Sequence, residues 1–241
     1  MIIIPMLGKS SRFFKNGYDL PKYQLPLGDE TVFAYSVRSF ERHFTNKSFL
    51  FLVRNDFGAR AFVSREAARM GIIDFRVIEF DFETRGQAES VYLGLRDYDP
   101  ALPFVVFNID TIRLGFEWPA PTAFAQGFLE VFEAEGDGWS FVDPIAGTAL
   151  VKRTTEKERI SSLCSNGMYG FGTIRDFRDA YDAEVQAGST VNGEIYIAPL
   201  YNRLIGQGKE IRFDLLEPGV TLHCGVPADY EVLKEKFSAK A

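Results

Sequence analysis

Sulfur and imidazole are scarce in this chain. Its 241 residues include 2 Cys, Cys164 and Cys224, and 2 His, His43 and His223. Two cysteines cannot build a disulfide framework or a cysteine-based zinc site, and two histidines leave little for a His-rich metal centre. Positive charge is also short: 27 Lys and Arg stand against 33 Asp and Glu, a net charge of −6. That balance argues against a nucleic-acid binder. No apolar run approaches the ~18 residues of a membrane span. The opening run, Met1–Met6, is too short for a signal peptide, and its positive charge follows it rather than precedes it. The cytoplasm is therefore the expected compartment. Internal repeats, low-complexity stretches and Pro/Ser-rich linkers are missing as well, so two domains joined by a hinge are not expected.

What is present reads as globular. Hydrophobic residues make up 46% and charged residues 25%, near the averages for folded domains. A chain of this size buries roughly 70–75% of its unfolded surface and needs no staple. The 23 Phe predict a core rich in aromatics, although Phe-rich helices would equally suit a homodimer. One domain spanning 1–241 is expected.

Ile2–Met6 reads as a buried strand, a short β-branched run that stops at a small, basic loop, Leu7–Phe13. Helical spacing covers Thr31–Phe44, with Phe33, Val37, Phe40 and Phe44 on one face. Further strands are expected at Ser48–Val53, Ile72–Phe80 and Pro103–Ile109, and helices at Ala59–Met70 and Gln87–Leu95. This alternation predicts an α/β fold with a mostly parallel central sheet and helices on both faces. The site should then lie beyond the carboxyl ends of the strands. Later in the chain, strands are expected at Gly138–Val142, Ala146–Val151, Met168–Phe171, Glu210–Phe213 and Thr221–Cys224. Helices are expected at Phe177–Gln186, Gly193–Ile205 and Asp229–Phe237.

Five short segments could carry chemistry. Gly8-Lys9-Ser10-Ser11-Arg12 follows the first strand. Small residues let backbone N–H groups approach phosphates, and Lys and Arg add charge; a solvated basic turn reads equally well. The segment is neither GxxxxGK[ST] nor GxGxxG. Pro21-Lys22 comes next, its Lys held by the restrained Pro. Asn108-Ile109-Asp110 places a carboxylate at the end of a buried strand, where it suits Mg²⁺; the plain alternative is a turn or cap Asp. Glu156-Lys157 lies in the alternating run Lys152–Arg159, which on its own reads first as a charged hairpin surface. In Val191–Tyr196, Asn192 could cap a following helix with Glu194 in its first turn.

Taken together in order, these segments resemble the sugar-phosphate nucleotidylyltransferases, in particular the small bacterial enzymes of capsule and surface-polysaccharide synthesis. From Ile2 to about Thr31, IIIPMLGKSSRFFKNGYDLPKYQLPLGDET matches the family's opening pattern IVIPMAGxGSRFxxxGYxxPKPLIxVxGKPM in order and spacing. FNIDTI resembles its strand-end Asp segment. TTEKERISSLCSNGMYGF and NGEIYIAPLYNRLIGQGKEI resemble two later blocks, and GVPADYE its closing one. The resemblance implies a Rossmann-like nucleotide-diphospho-sugar transferase fold, with a nucleotide-binding half at 1–115 and an acceptor-binding half at 116–241.

It also implies transfer of a nucleotidyl group from an NTP to a phosphorylated small molecule, with release of pyrophosphate and with Mg²⁺ as cofactor. Under it, Leu7 and Gly8 contact base or ribose, and Lys9, Ser10, Ser11 and Arg12 cradle the triphosphate. Lys22 bridges the reacting phosphates, Asp110 holds Mg²⁺, Gln87 touches the base, and Glu156, Lys157 and Glu194 face the acceptor. The chain departs from the pattern at three places. Ala-Gly-x-Gly reads Leu7-Gly8-Lys9-Ser10, PKPL reads Pro21-Lys22-Tyr23-Gln24, and no carboxylate stands in His223-Cys224-Gly225-Val226-Pro227, leaving Asp229 as a distant substitute. Two other readings compete: a glycosyltransferase using a nucleotide sugar, which would want an Asp-x-Asp pair, and a non-catalytic nucleotide-binding relative.

Overall fold

The computed structural model describes residues 1–120 and 126–238. In chain order the strands are β1 (Ile2–Met6), β2 (Pro26–Leu27), β3 (Glu30–Thr31), β4 (Phe49–Arg54), β5 (Phe75–Phe80), β6 (Phe104–Phe107), β7 (Thr111–Arg113), β8 (Gly127–Glu133), β9 (Ser140–Pro144), β10 (Val151–Glu156), β11 (Leu163–Phe171), β12 (Arg212–Leu215) and β13 (Thr221–His223). The α-helices are α1 (Ser11–Lys15), α2 (Val32–Val37), α3 (Ala59–Arg69), α4 (Gln87–Gly94), α5 (Ile174–Gln186), α6 (Leu200–Gly206) and α7 (Pro227–Ser238). Among the described residues no helix is long and apolar enough to cross a membrane.

The chain forms two compact units that interleave along the sequence. One holds Met1–Ile3, Glu83–Phe107 and Trp118–Pro218; the other holds Ile4–Phe82, Asn108–Glu117 and Gly219–Ala241. In the first, β6 runs parallel to the start of β1, with Ile2 opposite Val105, and antiparallel to β11. Strand β11 also pairs antiparallel with β8, and β8 pairs parallel with β12. Its core is aromatic: Phe171 stacks on Tyr201 with ring centroids 4.8 Å apart and on Phe104 at 5.3 Å, and Phe177 meets both Phe residues edge-on.

In the second unit β1 is followed in the sheet by β4 and then β5, the last two parallel with Phe49 opposite Phe75. Phe49 through Val53 are all buried, as expected of a strand covered on both faces. Val63 and Ala67 of α3 are buried as well, and Phe33 of α2 packs against Phe51 at 5.5 Å. The class is the α/β one expected, and the Phe residues named here do go to the core.

Several boundaries differ from expectation for local reasons. The helix expected over Thr31–Phe44 is α-helical only to Val37, after the Thr31 hydroxyl accepts from the Ala34 N–H at 3.2 Å; a 3-10 segment follows, in which Phe40 leaves helical geometry (φ −107°, ψ 20°). The helix expected at Gly193–Ile205 starts only at Leu200. Asn192 and Gly193 take left-handed backbone (φ 52° and 80°), and Val191 and Glu194 exchange both backbone hydrogen bonds across them at 2.9 and 3.0 Å. That is the two-residue Asn-Gly turn, so Asn192 caps no helix. The strand expected at Ala146–Val151 is a turn closed by the Thr148 hydroxyl on the Ile145 carbonyl at 2.9 Å, and the strand begins at Val151. Met168–Phe171 is the second half of the longer β11.

Candidate active site

The second unit builds its site from β1 outward. The buried β1 ends at Met6, and the chain turns through Leu7–Lys9, of which Gly8 and Lys9 are exposed. Ser10 adopts left-handed backbone (φ 51°, ψ 27°) and its carbonyl accepts from the N–H groups of Phe13 and Phe14 at 2.9 and 3.2 Å, starting α1. Phe13 anchors that turn in a buried cluster with Leu25, Cys224 and Tyr230, while Ser11 and Arg12 stay on the exposed side. The Ser10 hydroxyl reaches forward and accepts the Lys22 N–H at 3.1 Å.

Lys22 opens a 3-10 turn, Lys22–Gln24, behind Pro21 (φ −62°). Its ammonium lies 2.5 Å from Oδ2 of Asp110, with the two side chains 21% and 23% exposed. Asp110 follows the end of β6 and precedes β7, whose antiparallel pairing with β13 sets His223 opposite Thr111. The Cys224 N–H donates to the Asp110 carbonyl at 2.7 Å. This short ladder fixes the Asp110 backbone. Burial opposes charge on its carboxyl, but the Lys22 ammonium outweighs burial, and the pKa falls below the ordinary Asp value.

The closing segment surrounds the same carboxylate. A Cβ on Gly225 would sit 3.2 Å from Asp110 Oδ2, so the glycine leaves that side open. Burial, and secondly the Asp110 charge, raise the pKa of Asp229. Asp229 is thus electrostatically coupled to Asp110 and less remote than its place in the sequence suggests. Burial lowers the pKa of His223 against the opposing pull of Asp110, and burial pushes the Cys224 thiol up to about 12. Among the described residues no group of three or more His, Cys, Asp or Glu could hold a metal by itself.

The first unit holds a separate polar cluster. Glu156 ends β10 directly opposite Ser140 of β9. The Ser140 hydroxyl hydrogen-bonds to Glu156 and lies 3.1 Å from the Tyr169 hydroxyl. Burial, with the charge of Glu194 adding to it, raises the Glu156 pKa. Lys157 is left-handed (φ 56°). Its ammonium sits 4.5 Å from the Tyr196 ring centroid and donates to that hydroxyl. The Asn192-Gly193 turn places Glu194 beside Tyr196, whose pKa is raised by burial first and in part by Glu194. The run Lys152–Arg159 is therefore more than a charged surface: Thr154 is buried and Glu156 half-buried. Gln87 is the first residue of α4. Before it, Gly86 (φ 112°) touches Ile195, where a Cβ would meet the Ile195 carbonyl at 2.7 Å. The Ile195 N–H donates to the Arg85 carbonyl at 2.7 Å.

The sequence singled out both groups of residues, and the structure assembles each within its own unit: Ser10, Lys22 and Asp110 in one, Glu156, Lys157 and Glu194 in the other. Arg12 makes no direct hydrogen bond or ion pair with Lys22 or Asp110. Ser140 and Tyr169 carry no motif signal of their own: only the β9–β10 register brings Ser140 to Glu156. Tyr196 closes the segment Val191–Tyr196, but it follows the Asn-Gly turn instead of standing in a helix.

A nucleoside-diphosphate-sugar pyrophosphorylase from Vibrio cholerae RC9 is 44% identical to this chain over 98% of it and 100% of the other, with a TM-score of 0.92. The chain belongs to the sugar-phosphate nucleotidyltransferase family. Two more distant structures share the fold at 15% identity. One is a UDP-glucose pyrophosphorylase complexed with UDP-glucose (TM-score 0.77, 100% of this chain and 98% of that one). The other is an inositol-1-phosphate CTP transferase from T. maritima (TM-score 0.73, 98% and 95%). No family model and no curated protein matches the chain. As a sugar-phosphate nucleotidyltransferase it carries the opening motif from Ile4 onward in the second unit and the Glu-Lys block in the first.

Proposed function

We propose that this enzyme moves a nucleoside monophosphate from an NTP to a phosphorylated small molecule, a sugar phosphate or similar, in cytoplasmic synthesis of surface polysaccharide. The acceptor's phosphate oxygen attacks the α-phosphorus, the bond to the bridging oxygen of the β-phosphate breaks, and pyrophosphate leaves. Such a step needs positioning and neutralisation of charge rather than a covalent intermediate. The observation that carries this reading is the Lys22–Asp110 ion pair at 2.5 Å, tied to the small basic loop by the Ser10–Lys22 hydrogen bond. A cation and a carboxylate beside a loop of small and basic residues match what a polyphosphate and its counter-ion require.

Lys22, a compact point charge on a flexible stem, would leave Asp110 to bridge the α-phosphate and the attacking phosphate. Lys9, Ser11 and Arg12 would hold the β- and γ-phosphates, and Arg12 would neutralise the leaving group. Leu7 and Gly8 would contact base or ribose through their backbone, and Gln87 the base. Glu156, Lys157 and Glu194 would hold the acceptor. The residues also fit a Mg²⁺ ion, which asks for one or two carboxylates plus phosphate oxygens and water. Asp110 offers the carboxylate, Gly225 leaves it accessible, and Asp229 is coupled to it. Bound at Asp110, Mg²⁺ would supply charge neutralisation at the phosphate oxygens.

Incubation with each NTP, Mg²⁺ and a panel of phosphorylated sugars tests the reading. Pyrophosphate release that depends on Lys22 and Asp110 is expected. UDP release from a nucleotide sugar would replace it with a glycosyltransferase. A rise in Tm with NTP but no pyrophosphate from any acceptor would replace it with a non-catalytic binder.

A further inference from the structure

Ser10 spends conformational energy that a glycine would not. Left-handed backbone is costly for a residue with a Cβ and free for Gly, and Ser10 sits there at φ 51°, ψ 27°. Nothing in the backbone course demands a side chain at this position. Its hydroxyl is nonetheless engaged, accepting the Lys22 N–H at 3.1 Å. That N–H belongs to the first residue of a 3-10 turn, whose opening donors have no partner within the turn. The usual remedy is a capping side chain on the preceding residue. Here the preceding residue is Pro21, which makes no side-chain cap. Ser10 therefore caps the Lys22 turn from twelve residues upstream.

The turn is held elsewhere as well. The Gln24 N–H donates to the Pro21 carbonyl at 2.8 Å, and the Gln24 side chain donates to the Phe57 carbonyl at 3.1 Å. The Ser10 bond connects it to the loop after β1.

We propose that Ser10 is a positioning residue that couples the loop after β1 to Lys22, so that the segment gripping the triphosphate also sets where the Lys22 ammonium stands. This rests on the reading of Lys22 as the cation between the two reacting phosphates. It gives the departure from glycine at this position a function in this chain.

Three variants separate the coupling from backbone cost. Ser10→Gly removes the hydroxyl and relieves the backbone, Ser10→Ala removes the hydroxyl and keeps the cost, and Ser10→Asn restores an acceptor on a residue that tolerates left-handed geometry. Ser10→Gly is expected to lose about tenfold in kcat, the loss of one productive hydrogen bond, with KM for NTP changed less than about threefold and Tm unchanged or higher. Ser10→Ala should lose kcat equally and have a lower Tm. Ser10→Asn should recover most of kcat.

A second readout needs no turnover. The rate at which acetic anhydride acylates Lys22 in the substrate-free protein, followed by peptide mass spectrometry, should rise several-fold in Ser10→Gly and return toward the parent rate in Ser10→Asn. A parental acylation rate in Ser10→Gly overturns the coupling whatever the turnover. Parental kcat in Ser10→Gly overturns it too. If instead the parent protein transfers no nucleotide at all, the proposed function fails, and the acylation rates still decide whether Ser10 holds Lys22.

Discussion

Replacing Lys22 by Met removes the charge, keeps the stem, and so separates stability from catalysis. In Lys22→Met the Asp110 carboxylate loses an ammonium 2.5 Å away and keeps the burial that pushes its pKa upward. A hydrogen bond between charged groups contributes about 1.5–3 kcal/mol. With each side chain about a fifth exposed, solvent screening discounts that to about 1–2 kcal/mol, or roughly 2–8 °C in Tm for a chain of this length.

The loss depends on pH with a definite sign. In the parent the depressed Asp110 pKa stabilises the fold above the unfolded value, about 3.9, and that contribution disappears as pH falls through the folded value. In the variant burial is opposed only by a backbone hydrogen bond and the smaller pull of His223, so a charged Asp110 penalises the fold at neutral pH and a protonated one does not. The Tm deficit should be largest near pH 7, shrink toward pH 4 as protonation relieves the variant's penalty, and close only as pH falls through the parent's depressed Asp110 value. Turnover should fall by about 10²–10³, the usual loss for one preorganised group stabilising transition-state charge. NTP affinity, resting on the loop, should change less than about threefold. The assays are pyrophosphate release against NTP concentration, equilibrium NTP binding, and thermal unfolding at pH 4.5 and 7.5. Equal losses in kcat and NTP affinity would refute the bridging role, and a Tm deficit independent of pH would refute the ion pair.

Asp110→Asn should abolish Mg²⁺-stimulated pyrophosphate release while circular dichroism stays native; Mg²⁺-dependent turnover in that variant would remove Asp110 from the site. Glu156→Gln should raise Tm at pH 8 and match the parent at pH 4. Burial raises the Glu156 pKa, so the charged form is the costly one and its removal matters only where it is charged; the same variant should raise KM for the acceptor and leave KM for NTP unchanged. Gly86→Ala should destabilise by about 3 kcal/mol or more by denaturant unfolding, because its φ of 112° and a Cβ at 2.7 Å from the Ile195 carbonyl combine backbone strain with a clash.

Elements whose signal is confined to a few neighbouring residues are legible in the sequence. Ile2–Met6 and Phe104–Phe107 are continuous apolar runs that end at polar loops, and their strands lie within a residue or two of where the runs do. Asn192-Gly193 carries an equally local signal, but Ile197, Leu200, Tyr201 and Leu204 follow the i, i+3, i+4, i+7 spacing of a helix face, which suggests one helix reaching back across it. The left-handed Asn-Gly turn prevails because its two reciprocal backbone hydrogen bonds close locally, without help from packing.

Which side chains meet is settled at longer range. Lys22 and Asp110 are 88 residues apart, Ser140 and Glu156 meet through the register of β9 on β10, and Asp229 senses Asp110 because β13 pairs with β7. Residue types and spacing along the chain can announce a basic loop, a restrained Lys and a strand-end Asp. They leave open that a serine would close one to another, or that the two compact units would interleave. Such contacts follow from strand order and register, which depend on how the whole apolar surface is buried at once rather than on any stretch of sequence.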